Sequence, residues 1–260
     1  MTFIRSVIFN IVFYTVTVAI VLATIPVFAF ASEKTSARVC RFWAKITLFL
    51  LSTIVGTRLE IRGIENIPPD GAIFATKHQS MFETFALFPT LDRLTYVMKQ
   101  ELAQIPLWGW YARRAGMIML QRDQGASALR KLATNVRAAI GNKRQVVVFP
   151  EGTRRPPGAK VDYKGGIAHL YRMTGAPVVP VALNSGLFWP RRRIMRYPGT
   201  IIFEFLPPIP PGLKSRDFID QLQNGIETAS DRLLVETSKS ARPPRFPPEA
   251  RARLTELNRG

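Results

Sequence analysis

Hydrophobic and polar positions follow two periods along this chain, and the switches between them mark its elements. Residues 7–31 carry no charge and are dominated by Ile, Val, Phe and Ala. About 20 apolar residues span a bilayer core, so this run is long enough to cross one, with Pro26 near its end as a kink point. Arg5 before it and Ala29-Phe30-Ala31 at its end also give it the outline of a secretory signal. A signal's apolar region is usually about 7–15 residues, and the greater length here favours a retained anchor. A second element covers about 37–55. Helical spacing brings Arg38, Arg41 and Lys45 towards one side, with Phe42 and Trp43 among them and the apolar stretch 46–55 beyond. That stretch is too short to span comfortably, and the basic residues suit a helix lying in the headgroup layer. The plainer alternative is a core helix of the globular domain. If the first segment spans, three basic residues after it against a lone Arg5 before it place the following domain on the cytoplasmic side.

From 57 to about 235 the pattern changes. Short apolar runs bounded by turn residues predict strands at 72–75, 94–98, 117–120, 146–149, 178–183 and 201–205. Helical stretches at 83–88, 127–140 and 166–173 lie between them, the second with a stripe of Leu129, Leu132, Val136 and Ile140. Strand and helix in alternation predict an α/β domain, a mostly parallel central sheet flanked by helices. Residues 218–235 read as a closing helix. From Lys239 the chain holds six basic and two acidic residues and four prolines, which predicts a tail that is poorly ordered or lies along a membrane surface. Three parts follow: a membrane anchor over 1–56, the α/β domain over 57–238, and a basic tail over 239–260.

Charge narrows the partners. Among 260 residues, 36 Lys and Arg against 18 Asp and Glu leave a net charge of +18, which favours an anionic partner without choosing among nucleic acid, lipid and phosphorylated substrate. Cys40 is the single cysteine, so neither an intramolecular disulfide nor a zinc cluster of Cys ligands can form. With only His78 and His169 available, few groups can act as a general base near neutral pH.

Two segments carry candidate chemistry. The strand at 72–75 runs into Thr76-Lys77-His78-Gln79-Ser80-Met81-Phe82-Glu83. A polar His just past a buried strand end is where α/β sheets place their sites. Five residues on a helix turn through about 140°, so His78 and Glu83 meet only if His78 sits in the loop and Glu83 on a helix that folds back over it. A carboxylate on one imidazole nitrogen fixes the tautomer and raises the basicity of the other. The second segment is Phe149-Pro150-Glu151-Gly152-Thr153-Arg154-Arg155, in which a Gly turn after an apolar strand presents two arginines. A guanidinium fork binds phosphate bidentately; the alternative is a solvated loop with Arg154 paired to Glu151. His169, in a Gly- and Ala-rich helical stretch, reads as a packing or surface histidine. The loop Phe188-Trp189-Pro190-Arg191-Arg192-Arg193 fits either scattered surface charge or a loop dipping into anionic headgroups.

Together these segments resemble the glycerophospholipid acyltransferase family, of the 1-acylglycerol-3-phosphate O-acyltransferase type. The family's His followed five residues later by an acid is His78 with Glu83, and its Phe-Pro-Glu-Gly-Thr-Arg is Phe149 to Arg154. Its Gly-x-x-Phe-Ile-x-Arg is similar to Gly116 through Arg122, and its Pro-led apolar strand to Ala176 through Val181. Lys99-Gln100-Glu101-Leu102 and Lys164-Gly165 resemble two further family segments. The likeness covers about 57–210. Glu83 departs from the commoner Asp, and Lys77 from a frequent Asn.

The resemblance implies transfer of a fatty acyl group from acyl-CoA or acyl carrier protein to the free sn-2 hydroxyl of 1-acylglycerol-3-phosphate. His78 would be the base and Glu83 its support. Arg154 and Arg122 would hold the acceptor phosphate, Glu151, Gly152 and Thr153 would complete the phosphate-binding turn around Arg154, and Lys99 and Lys164 would be further phosphate-binding residues. The expectation is a bacterial inner-membrane enzyme with its catalytic domain on the cytoplasmic face, an anionic membrane surface as partner, no metal, no cofactor and no nucleic acid. No Gly-x-Ser-x-Gly elbow or nucleotide P-loop is present. Another lysolipid acceptor, such as lyso-ornithine lipid, or a non-catalytic membrane-surface protein of the same fold, are the rival readings.

Overall fold

The computed structural model describes residues 1–30, 32–121 and 125–259. Its centre is a seven-stranded sheet of β1 (Thr57–Arg62), β2 (Ala72–Thr76), β3 (Leu94–Lys99), β4 (Ile118–Leu120), β5 (Gln145–Val148), β6 (Val178–Leu183) and β7 (Gly199–Phe205). The spatial order is β1-β7-β6-β2-β5-β3-β4. Every pairing is parallel except β6 with β7. β2 is therefore central, and it is buried at all five positions. Ala72 and Phe74 face one side of the sheet, and Ile73 and Ala75 the other. Strands covered on both faces read as continuous apolar runs, which is why this one is visible in the sequence. Gly71 lets β2 start where it does, because a Cβ there would lie 2.4 Å from the carbonyl oxygen of Ile140.

One strand was not expected. β1 alternates Arg58, Glu60 and Arg62 with Leu59 and Ile61, and lies at the sheet edge. Only Thr57 in it is fully buried. An edge strand with a charged outer face lacks the apolar run that marks a central strand.

Helices cover both faces. On one lie α1 (Thr2–Phe30), α2 (Glu33–Leu50) with a π-turn at Leu51–Val55, and the short α3 (Glu83–Ala86). The loop after β3 holds α4 (Trp108–Arg114). On the other face are α5 (Gly125–Gly141) and α6 (Gly166–Thr174). After β6 come the short α7 (Ser185–Phe188), the long α8 (Ser215–Ser238), which joins α5 and α6 on their face, and α9 (Pro248–Leu257).

α1 is long and apolar enough to cross a membrane, with mean hydropathy 2.3 over Thr2–Pro26. It does not project from the domain. Phe9 and Phe13 pack edge-on against Trp189, at 5.5 and 5.8 Å between ring centres. Ser6 hydroxyl donates to the Arg196 carbonyl, Trp43 indole donates to Thr17, and Arg114 donates to the Phe28 carbonyl. The helix is thus docked from its first turn to its last. Its outer face, with Ile4, Ile8, Ile11, Val18 and Leu22, is exposed. α2 has one face in the core and one open to solvent. Ser36, Ala44 and Thr47 are buried and Trp43 packs on Phe85, whereas Arg38, Phe42, Lys45 and Phe49 point outward.

Of the two alternatives for the tail, poor order does not hold for its last helix. α9 is ordered, with Ala250 fully buried and Arg253 paired with Asp231 of α8. Four of its ten residues are charged, and the short stripe of Ala250, Leu254 and Leu257, the first two of which meet the core, is too brief to stand out in the sequence.

Candidate active site

The parallel strands deliver their C-terminal ends to one edge of the sheet, where loops converge. β2 ends at Thr76 and the chain leaves the sheet at Lys77-His78. Two backbone ties fix His78: its N–H donates to Glu151 Oε1 at 3.0 Å, and its carbonyl accepts from the Arg155 N–H at 2.8 Å. The loop after β2 is thereby bound to the loop after β5. Its imidazole stacks on Phe149, 3.9 Å between centres and 16° between planes.

Glu83 opens α3 and turns its carboxylate back over the loop. Oε1 lies 3.0 Å from His78 Nδ1 and accepts from the backbone N–H groups of Gln79 and Ser80, each at 2.6 Å. Oε2 accepts from the hydroxyls of Ser80 and Ser185, at 2.9 and 2.7 Å. Burial pushes this fully enclosed carboxyl up, but the hydrogen bonds and charge of His78, with Ser80 and Ser185, outweigh it and hold it below the usual carboxylate range. An ionised Glu83 has no proton to give, so Nδ1 must donate and the lone pair stands on Nε2. Among the described residues no hydrogen bond engages Nε2. The longer Glu reaches His78 because α3 begins at Glu83 itself, close above the loop.

Sequence reasoning missed the supports. Ser80 and Ser185 hold Glu83, the Tyr96 hydroxyl donates to the Glu83 carbonyl at 2.8 Å, and Gln79 Oε1 accepts from the Gly186 N–H. Ser185 comes from α7, more than a hundred positions away, and nothing local marks it. Lys77 gave one signal, a lysine at a buried strand end. It is 2% exposed and its ammonium lies 2.6 and 2.8 Å from the two oxygens of Glu227, which also accepts from the Tyr163 hydroxyl.

The other expected residues separate into groups. Gly152 takes φ +67°, a left-handed conformation that favours glycine, and its N–H closes the turn onto the Phe149 carbonyl at 3.0 Å. Thr153 follows, half-buried, and leads into Arg154. Arg154 does not pair with Glu151. Burial lowers the guanidinium's pKa; the charge of Glu83 opposes that shift, and Arg191 and Arg192 add to it. Among the described residues no carboxylate bonds it, which leaves its fork open.

Glu151, expected in the phosphate-binding turn, points inward. It is 2% exposed, faces Lys77 at 3.8 Å and holds the His78 backbone. Burial pushes its carboxyl up to about 7, against the pull of Lys77. Lys99 is exposed at the end of β3 and bonds nothing in the His78 cluster, and Lys164 is exposed and paired with Asp162 at 3.2 Å. Arg122 lies outside the described residues. Among those described, no group of three His, Cys, Asp or Glu side chains could hold a metal.

A strand-end histidine backed by an ionised carboxylate, beside an open guanidinium, has the parts that a general base and an anion clamp require. The acyltransferase family model matches residues 58–184, a span that holds His78, Glu83 and Arg154, and the chain resembles that family over it. Its likeness is to the lysophosphatidic acid branch. The chain is 37% identical over 159 residues to the 1-acyl-sn-glycerol-3-phosphate acyltransferase of Pseudomonas aeruginosa, covering 61% of this chain and 62% of that protein. It is 25% identical over 201 residues to the human alpha enzyme of that name, covering 76% and 71%. The aligned region thus spans about three fifths of the length of the Pseudomonas relative. The fold matches the crystal structure of the 1-acyl-sn-glycerophosphate acyltransferase PlsC from Thermotoga maritima, with TM-score 0.73 and 22% identity over 90% of this chain and 98% of that one.

Proposed function

We propose that this protein transfers a fatty acyl group from a thioester, acyl-CoA or acyl carrier protein, to the sn-2 hydroxyl of 1-acylglycerol-3-phosphate, giving phosphatidic acid. The observation that carries this reading is the His78–Glu83 pair with Nε2 unengaged, on the same edge as the open fork of Arg154. His78 Nε2 takes the proton of the acceptor hydroxyl as its oxygen attacks the thioester carbonyl. Glu83 stabilises the imidazolium that forms. The tetrahedral intermediate then expels the thiolate, and His78 returns its proton to the sulfur, leaving an ester and a free thiol. Arg154 holds the acceptor phosphate. The chain's own side chains suffice for these steps, so no cofactor is invoked.

The membrane supplies the acceptor. Undocking α1 would expose Phe9, Phe13 and Trp189 together, so α1 and α2 sit in one leaflet with their outer faces in lipid rather than crossing it. A net charge of +18 draws the domain to the anionic cytoplasmic leaflet of the inner membrane.

The test is purified full-length protein with labelled acyl-CoA and a panel of lysolipids. Labelled phosphatidic acid from lysophosphatidic acid is the expected product, and its loss in His78→Ala by about 10²–10⁴-fold ties it to this site. Acylation of lyso-ornithine lipid alone would move the reading to a phosphate-free acceptor.

A further inference from the structure

Beyond the family match, residues 189–196 form a loop whose basic tip meets the active site. Its base is rigid. Trp189 is 3% exposed among Phe9, Phe13, Phe82 and Phe85, and the Tyr197 N–H closes the loop onto the Phe188 carbonyl at 2.9 Å. The Arg196 guanidinium lies over the Trp189 ring at 4.2 Å and ties back to the carbonyls of Arg193 and Met195. At the exposed tip, Arg192 takes φ +55°, a conformation that non-glycine residues rarely adopt.

The loop turns its tip towards Arg154. Arg191 Nη1 donates to the Arg154 carbonyl at 3.0 Å, and Arg191 and Arg192 both lie close enough to repel the Arg154 charge. Among the described residues, none of these three guanidiniums has a carboxylate ion pair. Glu83 is the one acid whose charge reaches Arg154, and its oxygens are occupied by His78, Ser80, Gln79 and Ser185. Three like charges gathered without a counter-charge are unfavourable until an anion arrives, and a loop anchored at its base that gathers them suits one.

The number of charges selects the anion. A phosphomonoester carries about −1.5 to −2 charges at neutral pH and three acceptor oxygens. A phosphodiester carries a single charge and two unesterified oxygens. We propose that Arg191 and Arg192 complete the acceptor site with Arg154, binding the phosphomonoester headgroup and setting a preference for it over lysolipids whose phosphate is a diester. This rests on the acyltransferase reading above and adds to it two specificity-determining residues outside the matched span.

The experiment compares wild type with Arg191→Gln/Arg192→Gln in detergent, using lysophosphatidic acid and lysophosphatidylglycerol as acceptors. A charge-assisted hydrogen bond sets the scale: kcat/KM for lysophosphatidic acid should fall roughly ten- to hundredfold, mainly through KM. The loss with lysophosphatidylglycerol should be under about threefold, and the KM for acyl-CoA should hold, since the missing interaction belongs to the second phosphate charge. Arg191→Lys/Arg192→Lys should recover part of the loss, because charge returns without the fork. Equal losses with both acceptors would overturn the proposal, as would a raised KM for acyl-CoA, which would assign the arginines to the donor's phosphates. Glycerol 3-phosphate binding by calorimetry reads the anion site without turnover. If wild type acylates no lysophospholipid, the enzymatic reading fails on its own. Binding about tenfold weaker in the double variant would still support the anion site, and equal binding would sink it.

Discussion

The ammonium of Lys77 sits against both carboxylate oxygens of Glu227, at 2.6 and 2.8 Å, and so ties the residue before His78 to α8. Glu151 stands 3.8 Å away and holds the His78 backbone, which places one buried cation between two acids behind the catalytic loop. Removing one member of a buried ion pair strands the other. Lys77→Met should destabilise the protein by about 3 kcal/mol, at the lower end for buried pairs because Glu227 is partly open to water. Lys77→Met/Glu227→Gln should regain most of that. Urea unfolding of the four proteins of this cycle measures the coupling, and strictly additive losses would mean the pair is not a unit.

Glu83 is predicted to act through charge. Glu83→Gln replaces an acceptor of five hydrogen bonds with an amide whose NH₂ faces donors, so it should lower kcat by at least about 10²-fold. Glu83→Asp keeps the charge and should lose far less. Steady-state rates of both variants decide this, and equal losses would show that Glu83 works through shape.

The pH dependence of stability should carry the signature of Glu151. Its carboxyl, ordinarily near 4.5, is pushed up to about 7 by burial, so between those values the folded protein holds a proton that the unfolded chain has released. Stability from this group therefore falls as pH rises from about 5 to 8, by at most roughly 3 kcal/mol. Lys77, Glu227, Glu83 and His78 face it and set the size of the effect. Glu151→Gln keeps an acceptor for the His78 N–H and should flatten the dependence. Thermal midpoints measured at pH 5.5 and 8 check this; parallel behaviour of the two proteins would mean Glu151 is ionised throughout.

The two faces of α1 should respond differently to charge. Ile8→Glu/Val18→Glu places carboxylates on the exposed face and should reduce partition onto phospholipid vesicles at least about tenfold while the fold survives. Phe13→Glu buries a charge against Trp189 and should unfold the domain. Vesicle sedimentation with circular dichroism separates the two effects. A Phe13→Glu protein that stays folded would show that α1 is not docked.

The amino-acid pattern alone was enough for the central strands and the long helices. β6 matches its expected span, and β2, β3, β5 and β7 fall within two residues of theirs, because strands covered on both faces carry short runs of mostly apolar residues. His78, Glu83 and Arg154 stood out for another reason: each lies in a short contiguous segment whose residue types suit proton transfer or anion binding. What had to wait for the fold was every relation across sequence distance. Whether α1 leaves the domain or lies on it depends on Trp189 and Arg196, and the support of Glu83 depends on Ser185. The edge strand β1, the docked α9, the Lys77–Glu227 pair and the meeting of Arg154 with Arg191 and Arg192 are likewise contacts between distant segments. Local periodicity reports which face of an element is buried. It carries no information about what that face is buried against, and only the packing of the whole chain decides that.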